Sequence, residues 1–579
     1  MTAIDTYRLL RAFVDELSRC GMRAACTSPG SRCAPLVLSL TRDERLACYS
    51  HIDERCAGFF ALGLARAGGQ PVALACTSGT AAAELAPAVH EAHEARVPLL
   101  VLTADRPPEL RDTGAGQTID QLKLYGDAVK WFVEVGTHDA NTDRIRWIRS
   151  LACRAWWTAQ SGRPGPVQLN FALREPLVLD EPLTAEPAES AGRAGGRPWL
   201  TRPQTRALSA PDVLDGFAAD LRARRRGVIV AGRTDPPELG ASIAQLAQRA
   251  GYPLLADPQS GARRGPLAVA HYDALLRDHR FAAAHAPELV LRIGDLPTSK
   301  PLRRWLARLP DALQVRIDAE DSWQDPDAAT ATLLASDPAA TIEALVAESP
   351  GAAAHDQQWV DSWIRADAAA ATAIASALAD DLCEPRVAAE LGARLPAEVT
   401  CMVASSMPVR DLETFWPVRD APPRTLSNRG ANGIDGTVST AFGAAAVADG
   451  PVVLVIGDVA LAHDIGGLLA ASRLGLKLTI VLLNNDGGGI FHFLPIANEP
   501  DAFEQHIATP HGLDFAHAAA LYGCRYERAA DAAGFSAALD RALAAPTTMI
   551  VEVGTDRSDN VAVHERVWEA VASAATAAT

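Results

Sequence analysis

Two short polar stretches near the C-terminal end carry side chains that could bind a cation. Gly457-Asp458 closes the apolar run Pro451-Val-Val-Leu-Val-Ile456, and Asn484-Asn485-Asp486-Gly487 closes Leu478-Thr-Ile-Val-Leu-Leu483, with Asn485 27 residues after Asp458. Two buried parallel strands joined by a crossover helix bring both ends to the carboxyl edge of one sheet, where ligands of open α/β sheets bind. A carboxylate, an amide oxygen and the Gly487 carbonyl are hard donors, suited to a small divalent cation that also holds phosphate oxygens. The neighbouring glycines let the backbone approach a diphosphate. A capping Asp and an Asn-Asp-Gly turn would leave the same letters without any ligand.

The spacing resembles the metal–diphosphate signature of thiamine-diphosphate enzymes, and that chemistry demands a carboxylic acid beside N1′ of the aminopyrimidine. His51-Ile-Asp-Glu54-Arg offers one, followed by the apolar helical run from Cys56. Alone, Glu54 reads as a favourable first-turn charge. Beside a cofactor it reads as an acid whose desolvation raises its pKa and lets it share a proton.

The elements that must position these groups are legible along the chain. Residues 1–185 alternate helix and strand: an apolar stripe over Tyr7–Leu17, a strand turning at Cys26 into Ser28–Arg32, then Val72–Cys76 and Pro98–Thr103, each running into a polar turn. Residues 186–205 lose periodicity and read as a linker. Residues 206–350 carry a second α/β unit with strands at 227–231, 252–256, 289–293 and 313–317, and no Gly-x-Gly-x-x-Gly follows any of them. A weakly patterned stretch, 347–356, leads to a third unit, 351–579, with helices near Trp359–Leu378 and Pro385–Leu395, a strand at 399–403, a last strand at 548–553 and a terminal helix from Val561 to Ala574. The fold class expected is α/β, three doubly wound parallel-sheet domains that bind, in order, the aminopyrimidine, nothing essential, and the diphosphate.

Composition narrows the function. The chain has 579 residues and a net charge of −16, which argues against a nucleic-acid surface. Its ten cysteines include no Cys-x-x-Cys pair and read as reduced packing residues. The N-terminus carries charges in its first turns, and no apolar run approaches the ~20 residues that span a bilayer. A cytoplasmic enzyme with no membrane partner is expected.

Longer motifs make the resemblance specific. Ser28-Pro-Gly-Ser-Arg-Cys-Ala-Pro-Leu36, His51-Ile-Asp-Glu-Arg55, Thr77-Ser-Gly-Thr80, Leu102-Thr-Ala-Asp-Arg-Pro-Pro-Glu-Leu110 and Ser427-Asn-Arg-Gly-Ala-Asn-Gly-Ile-Asp-Gly436 resemble, in order, those of the SEPHCHC synthase family of the menaquinone pathway. The resemblance implies decarboxylation of 2-oxoglutarate and 1,4-addition of the succinyl-semialdehyde carbanion to isochorismate. Its cofactors would be thiamine diphosphate (ThDP) and Mg²⁺ or Mn²⁺, the metal held by Asp458, Asn485 and the Gly487 carbonyl. Glu54, Thr77, Gly79, Ser406, Gly433, Gly488 and Ile490 would meet the cofactor, and Ile434 would wedge between its two rings.

Both substrates are polycarboxylates, for which bidentate guanidinium is the natural partner. The matching positions supply Arg32, Arg106, Arg410, Arg429 and Lys300, with Ser31, Gln117 and Ser406 as neutral donors. Ser31, Arg32 and Gln117 would stand with Glu54 at the reacting atoms. Ile490, Phe491 and Leu494 would wall the site from water. Four positions depart from the family pattern: Asp486 where Asn is common, Pro301 where some members are basic, and Val459-Ala460 after Gly457-Asp458. Glu54 and Asp458 fall in different domains yet serve one cofactor, which in the family implies a site between subunits of a homodimer or homotetramer. An acetolactate-synthase-like carboligase would share Glu54 and the metal signature but not the Ser-Pro-Gly-Ser-Arg loop. A non-catalytic protein on the same fold would have no reason to keep Glu54, Asp458 and Asn485 together.

Overall fold

The computed structural model describes residues 2–179, 191–203, 205–234, 238–320, 322–348, 356–379 and 381–578. The expected linker 186–205 lies partly outside the described residues, as does most of the stretch 347–356. Among the described residues the strands form three six-stranded sheets, and every strand pairing is parallel.

The first sheet runs β2-β1-β3-β4-β6-β5, with β1 Ala24–Thr27, β2 Ala47–Ser50, β3 Val72–Cys76, β4 Leu99–Asp105, β5 Trp131–Glu134 and β6 Val167–Ala172. The second runs β12-β11-β10-β7-β8-β9, with β7 Gly227–Ala231, β8 Leu254–Ala256, β9 Ala268–Val269, β10 Leu289–Ile293, β11 Leu313–Ile317 and β12 Thr332–Leu334. The third runs β14-β13-β15-β16-β18-β17, with β13 Thr400–Val403, β14 Arg424–Leu426, β15 Val452–Gly457, β16 Thr479–Asn484, β17 Arg525–Ala529 and β18 Met549–Gly554. Central strands such as β3 and β4 are buried along their whole length, as covering both faces with helices requires.

The first and third sheets share one strand order, so their switch points are equivalent. In the first it lies between β1 and β3, and in the third between β13 and β15. The loops that follow these strands carry Ser28–Arg32, Thr77–Gly79, Ser405-Ser406 and Gly457-Asp458. At the second sheet's switch point, between β7 and β10, the backbone itself fills the crevice: a Cβ on Gly232 would lie 1.7 Å from the Asp295 carbonyl. Arg233 and Asp295 are ion-paired there at 2.7 Å.

The chain falls into two compact units. One holds the first sheet with residues 428–448 and 463–478; the other holds the second and third sheets. In the first unit, the helix Glu54–Gly68 packs backbone to backbone on the helix Thr437–Ala445. A Cβ on Gly63 would lie 2.0 Å from the Thr440 carbonyl, and one on Gly443 would lie 2.1 Å from that of Phe60. In the second unit, Trp359 and Trp363 of the helix Gln357–Ala377 lie in one continuous core with side chains of both sheets. Among the described residues no helix is long and apolar enough to cross a membrane.

The helix contact fixes the position of the helix that Glu54 opens. Gly63→Ala should therefore destabilise the protein by about 1–3 kcal/mol, through overpacking against a backbone that cannot retreat. Gly216→Ala, in a helix with open space around it, should stabilise by about 0.5–1 kcal/mol. Urea or thermal unfolding of the two variants measures both.

Candidate active site

Glu54 is the first residue of its helix because Asp53 caps it, accepting from Cys56 N at 3.1 Å. The helix start is half-buried, and burial raises the Glu54 carboxyl, with Asp53 and Glu84 adding to the effect. Three residues earlier, His51 lies against Phe60 with ring centroids 4.5 Å apart and planes tilted by 54°, and burial pushes the imidazole down to about 4. His51 is therefore neutral, and burial with two neighbouring acids favours the protonated form of Glu54.

The loops at the carboxyl edge of the first sheet meet one another. A Cβ on Gly30 would lie 2.3 Å from the Thr77 side chain. Arg32 is buried and donates to Leu173 O at 2.9 Å and to Glu175 at 3.0 Å, while Ser31 beside it is exposed. Arg106 donates to the Ser78 hydroxyl and to Gln117 O, and burial together with the Arg32 charge lowers its pKa. Gln117 is exposed, held in a left-handed conformation at φ 56°, and donates to Ser78 O at 3.0 Å. Gly79, at φ 84°, donates to Gln121 at 3.0 Å. Arg32, Thr77, Gly79, Arg106 and Gln117 thus form one rim. In the same unit, Gly430 N and Ala431 N donate to buried Glu91 at 2.8 and 2.6 Å, which anchors the segment carrying half-buried Arg429, Gly433 and Ile434.

In the second unit, Gly457 pairs with Leu483, so β15 and β16 end side by side. Asp458 is 2% exposed. Its carboxylate accepts from Val459 N at 2.7 Å, Gly487 N at 2.9 Å and His511 Nε2 at 3.2 Å. Burial raises this carboxyl and the three donors oppose the rise. Asn485 donates through Nδ2 to Glu384 at 2.8 Å, and its buried Oδ1 accepts no hydrogen bond from the described residues. Gly487 sits at φ 144°, where a Cβ would lie 2.5 Å from the Ala508 carbonyl. Gly488 N donates to that carbonyl at 2.7 Å. An orphaned amide oxygen, a buried carboxylate and a glycine-bound turn fit a divalent cation and a diphosphate.

The departures from the family pattern acquire physical roles. Asp486 accepts from His511 N and Gly512 N at 2.9 and 2.8 Å, and these amides hold its carboxyl below the usual range. Its charge is engaged by the 511–512 backbone. Val459 contributes only its backbone N–H to Asp458. Pro301 stands in the first turn of the helix Lys300–Leu306, capped by Ser299, and Lys300 is exposed.

Ser406, at φ 72°, precedes the helix Met407–Phe415 and accepts at its carbonyl from Arg410, whose pKa burial lowers. Ile490 is half-buried, whereas Phe491 and Leu494 are 36% and 41% exposed, so these two are not ordinary core. Glu384 and His511 escaped the sequence reading, and Asp464 was given no role by it. Glu384 reads as a first-turn charge, His511 lies in an unpatterned loop, and Asp464 reads as a helix-start residue. Yet Asp464 is wholly buried and accepts from Ser439 N at 2.7 Å.

Comparison with known proteins agrees with this geometry. The thiamine pyrophosphate enzyme N-terminal, middle and C-terminal domain models match residues 8–124, 195–403 and 408–553. A 2-succinyl-5-enolpyruvyl-6-hydroxy-3-cyclohexene-1-carboxylate synthase of Chloroflexus aurantiacus is 45% identical, over 97% of this chain and 96% of its own. Synthases of the same name from Geobacillus kaustophilus and Haloarcula marismortui are 43% and 41% identical, over 97% and 99% of both chains. The fold and cofactor loops are those of thiamine-diphosphate enzymes. Within that class, the chain belongs to the SEPHCHC synthase family.

The Asp486 contacts predict a pH-dependent loop. Because its pKa is lowered, its grip on the backbone is complete above the ordinary carboxylate pKa of about 3.9 and is lost as pH falls through the lower, folded value. Asp486→Ala should speed amide hydrogen exchange at His511 and Gly512 at neutral pH. Asp486→Asn, which keeps an accepting oxygen, should change it little.

Proposed function

We propose that this chain, with ThDP and Mg²⁺ or Mn²⁺, converts 2-oxoglutarate and isochorismate to SEPHCHC and CO₂ in menaquinone biosynthesis. The observation that carries the reading is the buried oxygen set of Asp458, Asn485 and Gly487, in a chain whose relatives bear the synthase name along their whole length. Asp458, the Asn485 amide oxygen and the Gly487 carbonyl would hold the metal. Thr77, Gly79, Ser406, Gly433, Ile434, Gly488 and Ile490 would line the cofactor. When bound, ThDP would supply a carbon nucleophile for the 2-oxoacid and an electron sink for its decarboxylation.

The chain's own residues do the rest. Glu54, its pKa raised by burial, holds a proton at N1′ of the aminopyrimidine. Arg32, Arg106, Arg410 and Arg429, with Lys300, fix the carboxylates of the two substrates by charge-assisted hydrogen bonds. Ser31, Gln117 and Ser406 orient the neutral oxygens. Ile490, Phe491 and Leu494 exclude water, so that the reacting carbon adds to isochorismate in place of taking a proton. Arg32 must exchange its Glu175 partner for a substrate carboxylate, and that partner's 73% side-chain exposure makes the exchange inexpensive.

Glu54 belongs to one compact unit and the metal loop to the other. We propose a cytoplasmic homodimer or homotetramer in which two copies complete each site. The proposed domain limits are 1–185, 206–350 and 351–579, with 186–205 as linker.

The test is CO₂ release from 2-oxoglutarate with ThDP and Mg²⁺, with and without isochorismate, and the mass of the product. Release that rises sharply with isochorismate, and a succinyl adduct of it, is expected. Consumption of pyruvate with 2-oxoglutarate ignored would instead make the chain a different carboligase.

A further inference from the structure

Asn485 can present either end of its amide to a cation, and only the oxygen binds one. The two ends differ by a half-turn of the terminal torsion, so something beyond the ligand itself must choose. We propose that Glu384 is the positioning residue that makes this choice, and that the metal loop depends on it although it touches neither metal nor substrate. The inference rests on the assignment of Asn485 as a metal ligand.

The geometry is specific. Glu384 begins the helix Glu384–Arg394, about a hundred residues before the loop it serves, and is 1% exposed. One of its oxygens, Oε1, accepts from Asn485 Nδ2 at 2.8 Å and from the Thr555 hydroxyl at 3.0 Å. Thr555 is itself pinned, its N–H donating to Asn484 O at 2.9 Å. Donors thus converge on Glu384 from the ends of two neighbouring strands, β16 and β18. Room for the amide is kept by Gly489, where a Cβ would lie 2.7 Å from Asn485 Nδ2.

With its NH₂ committed to Glu384, the Asn485 side chain leaves Oδ1 buried and without a hydrogen-bond partner among the described residues. That is the one donor atom on the side chain a cation can use. The reversed amide would set its oxygen against the Glu384 carboxylate and its NH₂ toward the cation, so both contacts become repulsive. A second residue that orients a ligand in this way typically carries ~10–100-fold in metal affinity.

The experiment is a Mn²⁺ titration of the full-length protein with ThDP, followed by the electron paramagnetic resonance of free Mn²⁺, which requires no turnover. Glu384→Met keeps the chain length and removes the acceptor, and should weaken Mn²⁺ binding ~10–100-fold. Glu384→Gln retains an accepting oxygen and should restore most of the affinity. In an Asn485→Ala background the Glu384→Met substitution should have no further effect, because there is no amide left to orient. If Glu384→Met fails to fold, Glu384→Asp, which withdraws the carboxylate by one methylene, should still show weaker binding.

Unchanged Mn²⁺ affinity in the folded variants would overturn the proposal and leave the metal assignment standing. So would a loss that persists in full without the Asn485 amide, since that would be a general effect on the fold. Failure of the wild-type protein with ThDP to bind Mn²⁺ would remove the metal assignment itself, and this inference with it.

Discussion

The pairing of two buried strands, Gly457 of β15 beside Leu483 of β16, is the constraint on which the site rests. β15 and β16 are buried on both faces and nearly all apolar, so their polar groups gather where they end. Asp458 and Asn485 lie one and two residues past that register pair. A slip of one residue would turn each of them to the other face of the sheet. The loop that follows β16 then folds back over the same edge, pinned by Gly487 N on Asp458 and by Asp486 on the backbone of His511 and Gly512.

Burial tunes the groups that the strand ends collect. Glu54 and Asp458 both have raised carboxyl pKa values, but for different ends. Around Glu54, neutral His51 and neighbouring acids favour a shared proton. Around Asp458, three hydrogen-bond donors meet a carboxylate that a cation would keep ionised. The arginines follow another logic. Arg32 and Arg106 are hydrogen-bonded to carbonyls at the rim, which holds their guanidinium groups in place.

Much of this was legible in the chain, and the gaps have physical causes. Continuous apolar runs marked β3, β7, β15 and β16 to within a residue, and β10 and β11 were marked as closely by apolar positions interrupted by Arg292, Gln314 and Arg316, which are buried. The strand expected at 252–256 begins only at Leu254, since Pro253 has no N–H to give the ladder. The first helix is longer than its apolar stripe, Ala3–Cys20, because a capping box between Thr2 and Asp5 starts it early and Gly21 in a left-handed conformation ends it. The segment after Asp458, expected as one helix, breaks into three short turns, and Asp464 at the break reaches Ser439. Residues that touch the cofactor loops from far along the chain stayed hidden. Glu384 lies about a hundred residues from Asn485, and no local pattern distinguishes its carboxylate from a helix-capping charge.

The claim that joins the two ends of the account is that Glu54 activates a cofactor anchored at Asp458 and Asn485. It is tested most directly by exchange of the C2 proton of bound ThDP, followed by nuclear magnetic resonance in wild-type protein and in Glu54→Gln. If Glu54 holds the N1′ proton, the variant still binds ThDP with Mg²⁺ while C2 exchange collapses by orders of magnitude. Near-normal exchange in the variant would contradict it and remove Glu54 from the chemistry.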